Sequence, residues 1–412
     1  MRTPLIDLSV RHALLFAIFL VLYEFLTYIA NDMIMPGMID VVSSFHASMS
    51  NVANSVTVYV LGGASLQLFL GPLSDAIGRR PVMLWGAFLF CLMTWCVACS
   101  FSMNTFLLAR FFQGMGLCFI SVVGYAVFHE IFAERDVIKL FAIMGNVAIL
   151  APLLGPLLGA FLLLYVDWRW IFIFLGLLAF VAWWGLWRYM PESVGQKKRD
   201  GSIIVPMTWS VQQILSSYGR LLSHRPFVCG VLAYSFIGVP CMTWIALSPV
   251  IVVVEEHYSM LHYALWQLPV FGAYILGNFM LSYWSQKKTL KELILIGSVV
   301  IVLSLVLMVV LSRVFPASFV YFMPGLMGYF WGYSFVSTPL NRMILFATPV
   351  TKGTASALLC VVSMLTQALG IEGINLIYTS HRYVLFSLYS AMMGLGFVLM
   401  LVGVFYVTTQ KK

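Results

Sequence analysis

Long, unbroken apolar blocks run through the whole chain, separated only by short polar, charged or Gly/Pro-rich breaks. A membrane-spanning α-helix needs about 20 apolar residues, whereas the strands of a membrane β-barrel alternate apolar and polar residues. Composition agrees, because 62% of the residues are hydrophobic and only 9% are charged, against about 25% charged in soluble domains. The sequence therefore excludes a soluble globular fold and predicts an all-α membrane protein.

The breaks divide the chain into twelve candidate transmembrane helices. Their predicted bounds are 12–35, 52–77, 81–101, 104–130, 137–164, 167–189, 226–253, 260–284, 289–312, 316–342, 353–379 and 382–408. The first apolar block is too long for the hydrophobic core of a signal peptide, so we expect no cleaved leader.

The placement of Lys and Arg predicts the orientation in the membrane. With the N-terminus in the cytoplasm, 19 of the 23 basic residues lie on the cytoplasmic side, as the positive-inside rule requires. An even number of spans then places the C-terminus in the cytoplasm as well, which predicts a multi-pass protein of the cytoplasmic (inner) membrane. Because the net charge of +8 is a topology signal, nucleic-acid binding has little support.

One polar insertion, about residues 191–225, separates two sets of six spans. It predicts three regions: an N-terminal six-helix bundle (1–190), a cytoplasmic linker (191–225) and a C-terminal six-helix bundle (226–412). Apolar residues at helical spacing between Val211 and Leu222 predict a short amphipathic helix in the linker; the alternative is an ordinary surface linker. Two equal halves are what a rocking transporter with a site at mid-membrane requires.

Two acids, Glu24 and Asp32, lie in the first apolar block. At about 100° and 1.5 Å per residue they are ~80° apart around the helix and ~12 Å apart along it, and Tyr28 and Asn31 share their face. Ionisable groups inside a membrane are costly and usually functional. A carboxyl that loses its hydration holds its proton until another charge displaces it, a property suited to proton coupling. The alternatives are an interfacial Asp32 and a structural Glu24.

Arg110 enters the fourth block at about the depth of Asp32, and Gln113 continues its polar face. An arginine stays charged at that depth, so it must be paired or bonded to backbone carbonyls, and we expect the carboxylates of the first span to be its partners. A purely structural arginine is an equally good interpretation. Glu372, in the outer half of the eleventh span, is either a second titrating group or a water-exposed structural acid.

The loop between spans two and three reads Gly71-Pro72-Leu73-Ser74-Asp75-Ala76-Ile77-Gly78-Arg79-Arg80. It resembles the signature loop G-x-L-x-D-R-x-G-R-[RK] of the major facilitator superfamily, with Ala76 where the family often has arginine. The resemblance implies the twelve-helix major facilitator fold and a gating role for Asp75, Gly78, Arg79 and Arg80. Glu130, at the inner end of span four, is expected to form a gate salt bridge.

Two further motifs resemble the drug/proton antiporter branch of this superfamily. Arg110-Phe111-Phe112-Gln113-Gly114-Met115-Gly116 resembles R-x-x-Q-G-x-G, assigned in the family to proton coupling. The stretch from Ala151 to Ala160 resembles G-x-x-x-G-P-x-x-G-G. Its small residues predict close packing of span five against a helix of the other half, with a bend at Pro156; Gly155, Pro156 and Gly159 are thereby implicated in gating. A generic packing face is the alternative.

Similarity to MdfA-type multidrug/proton antiporters covers most of the chain and is strongest before residue 191. The resemblance implies that Glu24 and Asp32 form the proton and cationic-drug site and that Arg110 takes part in coupling. It also implies a central substrate cavity, to which these residues contribute: Glu24, Tyr28, Asn31, Asp32, Gln113, Tyr125, Met144, Asn146 and Phe271. The expected partners are lipophilic drugs, protons and membrane lipid, and we expect a monomer without a cofactor.

The predicted function is therefore proton-coupled efflux of lipophilic cationic, and also neutral, small molecules by alternating access. The main alternative on the same fold is a dedicated exporter of one metabolite or siderophore, or an importer. An enzyme has little support, because the chain contains no H-E-x-x-H motif or Ser/His/Asp set, and a channel lacks a repeated filter segment. The seven cysteines lie in apolar segments, which predicts neither a disulfide framework nor a metal site.

Overall fold

The computed structural model describes residues 4–199, 201, 204, 211–315, 318–348, 351–377 and 382–409. Arg2, Asp200, Lys411 and Lys412, which contribute to the net charge, lie outside the described residues. Seventeen α-helices occur in the described part of the chain. They are α1 (Val10–Asp32), α2 (Met38–Ser44), α3 (Ser50–Ser65), α4 (Gln67–Ile77), α5 (Arg79–Ala98), α6 (Met103–Gly114), α7 (Gly116–Phe119), α8 (Tyr125–Ile131), α9 (Glu134–Leu162), α10 (Trp168–Tyr189), α11 (Val211–Leu222), α12 (Arg225–Pro249), α13 (Met260–Trp284), α14 (Leu290–Val314), α15 (Met323–Phe346), α16 (Lys352–Ile377) and α17 (Arg382–Thr409).

Eleven helical segments in the described residues are long and apolar enough to cross a membrane. The remaining predicted span corresponds to α15, whose 24 residues extend ~36 Å at 1.5 Å per residue. Its observed start lies several residues after the predicted one, because Phe319–Phe322 forms a 3₁₀ turn and Pro324 stands in the first turn of the helix, a position that proline tolerates. The predicted fold of twelve membrane helices is confirmed.

The first compact unit consists of residues 1–34 and 58–212. In this unit α1 packs against α9 and α10, and α5 packs against α6 and α10. Spans five and six therefore pack along span one, and side chains of span four reach its polar residues. The polar cluster described below lies in this unit.

The second unit consists of residues 35–57 and 213–412. Here α12 packs against α16 and α17, while α15 packs against α13 and α14. The helix α11, in the segment for which the sequence predicts an amphipathic helix, buries Leu221 and leaves Leu215 60% exposed.

Both units expose large apolar side chains along their long helices. Trp85 is 70% exposed on α5, and Leu303 is 64% exposed on α14. A soluble protein would not leave such a surface in water, so these faces are the lipid-facing surface of a multi-pass membrane protein.

Candidate functional site

Glu24 is almost completely buried on α1, with 1% of its surface exposed. Its Oε1 accepts a hydrogen bond of 2.6 Å from the Tyr125 hydroxyl, which lies on span four. Its Oε2 is buried and has no hydrogen-bond partner among the described residues. A carboxylate with one oxygen unbonded in an apolar interior is costly, so this position favours either a bound proton or a nearby cation.

A change in helical geometry directly precedes Tyr125 on span four. This span runs as α6 and α7 up to Phe119, with a turn at Met115, forms a π-helical turn over Ile120–Gly124, and resumes as α8 at Tyr125. π-turns inside helices are rare and frequent at functional sites. The sequence predicted both residues as part of one site, and the structure brings them together.

Asp32 and Asn31 lie at the last turn of α1, two turns beyond Glu24. Asp32 is 6% exposed, and its Oδ1 accepts a hydrogen bond of 3.2 Å from Asn31 Nδ2. The oxygen of the same Asn31 amide accepts a bond of 2.8 Å from Arg110 Nη2. Asn31 therefore bridges the acid and the arginine.

The expected ion pair between Arg110 and the carboxylates of span one is wrong for this structure. Among the described residues no acid forms a salt bridge with Arg110. Its Nη1 instead donates to the Ala30 carbonyl at 3.1 Å and to Gln113 Oε1 at 2.7 Å. A rigid guanidinium fork can satisfy several neutral acceptors at once, which an ion-pair argument based on depth alone overlooks.

Aromatic and polar side chains complete the surroundings of Arg110, which has no exposed surface. Its guanidinium carbon lies 4.4 Å from the centre of the Tyr59 ring, a favourable cation–π distance. Gln113 is held in turn by a bond of 2.9 Å from its Nε2 to Thr94 Oγ1. Sequence reasoning missed Tyr59 and Thr94, because nothing in their local sequence differs from ordinary core residues.

Two glycines let spans two and four touch through their backbones beside Arg110. A Cβ atom on Gly62 would lie 2.0 Å from the Phe111 carbonyl oxygen, and one on Gly114 would lie 2.1 Å from the Tyr59 carbonyl oxygen. No real Cβ fits at these distances. The glycine in the R-x-x-Q-G-x-G stretch is therefore what brings Tyr59 within reach of Arg110.

Gly155 and Gly159 of α9 likewise allow close backbone contact, in this case between α9 and α1. A Cβ on Gly155 would lie 2.9 Å from Asp32 Cβ, and one on Gly159 would lie 1.9 Å from the Met33 carbonyl oxygen. The close packing was predicted, but the predicted partner was a helix of the other half, and the structure places span one of the same unit there. The motif thus fixes the end of α1 that carries Asp32.

Substitution of Gly159 by alanine should destabilise the protein by about 1–3 kcal/mol, the usual cost of overpacking, because α9 must move away from α1. Gly145 lies on the same helix with nothing within 4 Å of its position for a Cβ. Gly145→Ala should be neutral or stabilising by up to about 1 kcal/mol, because alanine is the better helix former. Thermal unfolding of both variants in detergent measures this, and a Gly159→Ala protein as stable as wild type would contradict the contact.

The loop between α4 and α5 holds an ion-pair cluster. Gly78 adopts φ +107°, a backbone conformation that residues other than glycine rarely adopt. The turn at Gly78 directs the Arg79 side chain back over α4. Arg79 Nη2 pairs with Asp75 and, at 2.9 Å, with Glu130 Oε1 at the end of α8, while Nη1 donates to Ser74 Oγ at 2.6 Å. The salt bridge expected for Glu130 is present in the structure.

Glu192, which follows the end of α10, was not singled out by the sequence. Its Oε1 and Oε2 accept hydrogen bonds from the backbone N–H groups of Arg79 and Arg80 at 3.0 and 3.1 Å, and so it caps the start of α5. An acid at a helix N-terminus is stabilising. The next residue, Ser193, donates at 2.5 Å to Glu130 Oε2. The available sequence signal was an acid directly after Pro191, ahead of the Lys197-Lys198-Arg199 run.

For the other predicted substrate-cavity residues, the structure gives their burial but does not bring them together. On α9, Met144 is buried and Asn146 is exposed; Tyr28 is half-buried on α1. Phe271 belongs to the second unit, where it is buried and its ring lies 5.2 Å from that of Phe330. Their contribution to a common cavity stays a prediction, as does the gating role of Pro156, which lies inside the continuous helix α9.

Glu372 lies on α16 in the second unit and is half-buried. Its Oε1 is 3.2 Å from the side-chain amide of Asn54, which also contacts Asn375. In the described part of the chain, no group of three or more His, Cys, Asp or Glu side chains is arranged to hold a metal ion.

Comparison with known proteins places this arrangement in context. Residues 20–371 of the chain match the family model of the Major Facilitator Superfamily. The chain is 40% identical over 395 residues to the multidrug transporter MdfA of Yersinia pestis bv. Antiqua (strain Angola), covering 95% of each protein. It is also 40% identical over 365 residues to the MdfA of Escherichia coli O6:H1, covering 88% of this chain and 86% of the relative.

Among solved structures, a D-xylose-proton symporter superposes with a TM-score of 0.75 at 16% identity, covering 94% of this chain and 97% of the symporter. At that identity the likeness concerns the fold alone. The family match, the full-length relatives and the shared fold agree, and the chain belongs to the major facilitator superfamily.

Proposed function

We propose that this protein is a proton-coupled multidrug antiporter that exports lipophilic cations, and also neutral compounds, by alternating access. The observation that carries the proposal is the state of Glu24, which is buried, bonded through one oxygen to Tyr125 and unbonded through the other. Such a carboxyl can hold a proton or face a cation, and either one neutralises it. The name of the relatives at 40% identity, multidrug transporter, supports the same function.

Competition between a proton and a lipophilic cation for the Glu24 carboxyl couples export to proton movement. A lipophilic cation entering beside Glu24 stabilises the ionised acid, so the proton leaves; a returning proton removes the attraction and releases the cation on the other side. Each pH unit across the membrane supplies ~1.4 kcal/mol per proton, and 100 mV adds ~2.3 kcal/mol per net charge moved. These values are sufficient to drive export against a concentration gradient.

The Arg110 cluster transmits the occupancy of the acids to the helix bundle. Arg110 is bonded to Ala30, Asn31 and Gln113 at once, and Asn31 is bonded to Asp32. A change of charge on Asp32 therefore alters the bonding of Asn31, and through it the contact between spans one and four. Neutral substrates, which cannot displace a proton electrostatically, would act through the apolar walls of the cavity.

Gating and topology complete the proposal. The Asp75–Arg79–Glu130 cluster, with Gly78 and Arg80 in the same turn, closes the cytoplasmic end of the first unit, and Gly155, Pro156 and Gly159 form the seam on which α9 moves along α1. The protein works as a monomer in the inner membrane with both termini in the cytoplasm. It needs no cofactor.

Reconstituted vesicles test the function. Wild-type protein should export several unrelated compounds, such as ethidium, tetraphenylphosphonium and a neutral drug, each only when a pH gradient is imposed, and each with movement of protons in the opposite direction. Strict selectivity for a single compound would instead favour a dedicated exporter. Transport that continues after an ionophore has collapsed the proton gradient would overturn the coupling.

A further inference from the structure

A cavity lies within the second unit, between α12, α13 and α15. Its volume is about 360 Å³, enough for a bicyclic aromatic molecule. Three tyrosines form its walls, namely Tyr234, Tyr274 and Tyr333, and a strip of α15 from Ser337 to Phe346 completes it. The proposed function above does not use this cavity.

Aromatic faces dominate the interior of this cavity. The rings of Tyr274 and Tyr333 lie 5.7 Å apart with an interplanar angle of 35°, and Tyr333 stacks on Tyr329 at 6.1 Å and 8°. Tyrosine side chains that line a cavity offer parts of their rings against which a further aromatic ring can pack edge-to-face or offset. The walls therefore favour a flat aromatic ligand.

The polar groups of the cavity are neutral or positively charged. Ser337 is 6% exposed, and no hydrogen bond of normal geometry reaches its buried Oγ, although the Tyr274 hydroxyl lies nearby. Asn341 lies beside the Tyr234 hydroxyl. The Ser337 and Tyr274 hydroxyls are therefore a pair of neutral polar groups in the cavity wall, with which a polar group of a ligand can exchange hydrogen bonds.

Positive charge lies at the rim. Arg342 lines the cavity and its guanidinium carbon lies 5.5 Å from the centre of the Phe346 ring, while Lys352 Nζ lies 3.8 Å from the same ring. No acidic residue is among the residues that line the cavity. An organic cation would meet two like charges here, whereas a carboxylate could form a bidentate pair with Arg342.

We propose that this cavity is a binding site for aromatic organic acids, with the ring among the three tyrosines and the carboxylate on Arg342. The charge of this site is opposite to that of the acids in the first unit, so the two sites favour ligands of opposite charge. It extends the range of ligands beyond lipophilic cations. Its existence does not depend on the proton coupling proposed for Glu24.

Three probes of the same shape and different charge test the proposal by calorimetry on the purified full-length protein. They are 2-naphthoate, neutral 2-naphthamide and cationic 2-naphthylmethylammonium, titrated into the double variant Glu24→Gln/Asp32→Asn so that the two acids of span one do not contribute. Naphthoate should bind about tenfold more tightly than the amide, a difference of ~1.4 kcal/mol, and the cation should bind most weakly. Equal affinity for all three probes would overturn the assignment of charge.

Matched variants locate the binding. Arg342→Gln should weaken naphthoate binding about five- to tenfold, less at high salt because the guanidinium is exposed, and should change amide binding less than twofold. Arg220→Gln, an exposed arginine on α11, should have no effect. Tyr333→Leu should weaken the binding of naphthoate and of naphthamide alike. Unchanged naphthoate affinity in Arg342→Gln, or an equal loss in Arg220→Gln, would overturn the site.

The outcome is separable from that of the proposed function. Naphthoate binding that persists in Glu24→Gln/Asp32→Asn, while cation transport is lost, supports both proposals. No naphthoate binding to a folded, cation-transporting wild-type protein rejects this site alone. Naphthoate binding to a protein that moves no protons rejects the coupling alone.

Discussion

Replacing Glu24 by glutamine should abolish the release of protons on addition of a lipophilic cation to the detergent-solubilised protein. Glutamine preserves the shape and can still accept the hydrogen bond from Tyr125, which is 2.6 Å long in wild type, but it carries no charge. The affinity for tetraphenylphosphonium should fall about 100-fold, from the ~3 kcal/mol typical of removing one member of a buried charge pair. Proton release is measured with a pH-sensitive dye, and affinity by equilibrium binding.

Comparison variants give this result its meaning. Glu134→Gln makes the same chemical change at an exposed position in the first turn of α9 and should behave like wild type. Asp32→Asn tests the second acid, and the double variant Glu24→Gln/Asp32→Asn should release no protons at all. Proton release from the folded double variant would show that the coupling acids lie elsewhere, with Glu372 as the next residue to examine.

Replacing Arg110 by lysine should lower both stability and transport, although the charge is kept. A lysine ammonium cannot bond to the Ala30 carbonyl, Asn31 and Gln113 from one planar group, nor stack on Tyr59 as a guanidinium does. The loss of one or two hydrogen bonds to a charged group should cost about 2–4 kcal/mol. Thermal unfolding in detergent and ethidium export from vesicles measure the two effects.

Two comparisons separate a structural role of Arg110 from a coupling role. Arg220→Lys, on the exposed face of α11, should leave both quantities unchanged. Arg110→Lys studied well below its unfolding temperature shows whether proton release persists in folded protein. If release and export stay at wild-type levels while stability falls, Arg110 only holds spans one and four together; unchanged stability would contradict the contacts themselves.

The sequence was sufficient for the helices and for the burial of the charged groups. Long apolar blocks must cross the membrane, and an ionisable residue within one must turn away from lipid, so the burial of Glu24, Asp32 and Arg110 followed from position alone. The partner of Arg110 did not follow, because depth and azimuth indicate which helices meet but not which atoms. Asn31, adjacent to Asp32, receives the bond that was expected to go to a carboxylate.

The sequence also did not predict which helices approach each other closely enough for their backbones to touch. The motif around Gly155 and Gly159 predicted a tight helix seam, but small residues do not specify which helix fills it, and the neighbour is α1. Gly62 and Gly114 let the backbones of spans two and four touch beside the contact between Tyr59 and Arg110. Glu192 lies after the last turn of α10. Predicting where helices begin and end along the sequence does not show that this residue caps the N-terminus of α5, more than 100 residues earlier in the chain.

The capping of α5 by Glu192 ties the segment that follows α10 to the first unit. Helix α10 ends at Tyr189, which suggests a natural place to divide the protein into two co-expressed fragments. Yet the segment after it still belongs to the unit: Glu192 caps α5, Ser193 bonds to Glu130, and the Arg199 backbone N–H donates to the Leu5 carbonyl oxygen at 2.8 Å. A division just after Pro191 would remove the group that completes the signature loop, so independent fragments must carry this stretch with the N-terminal half.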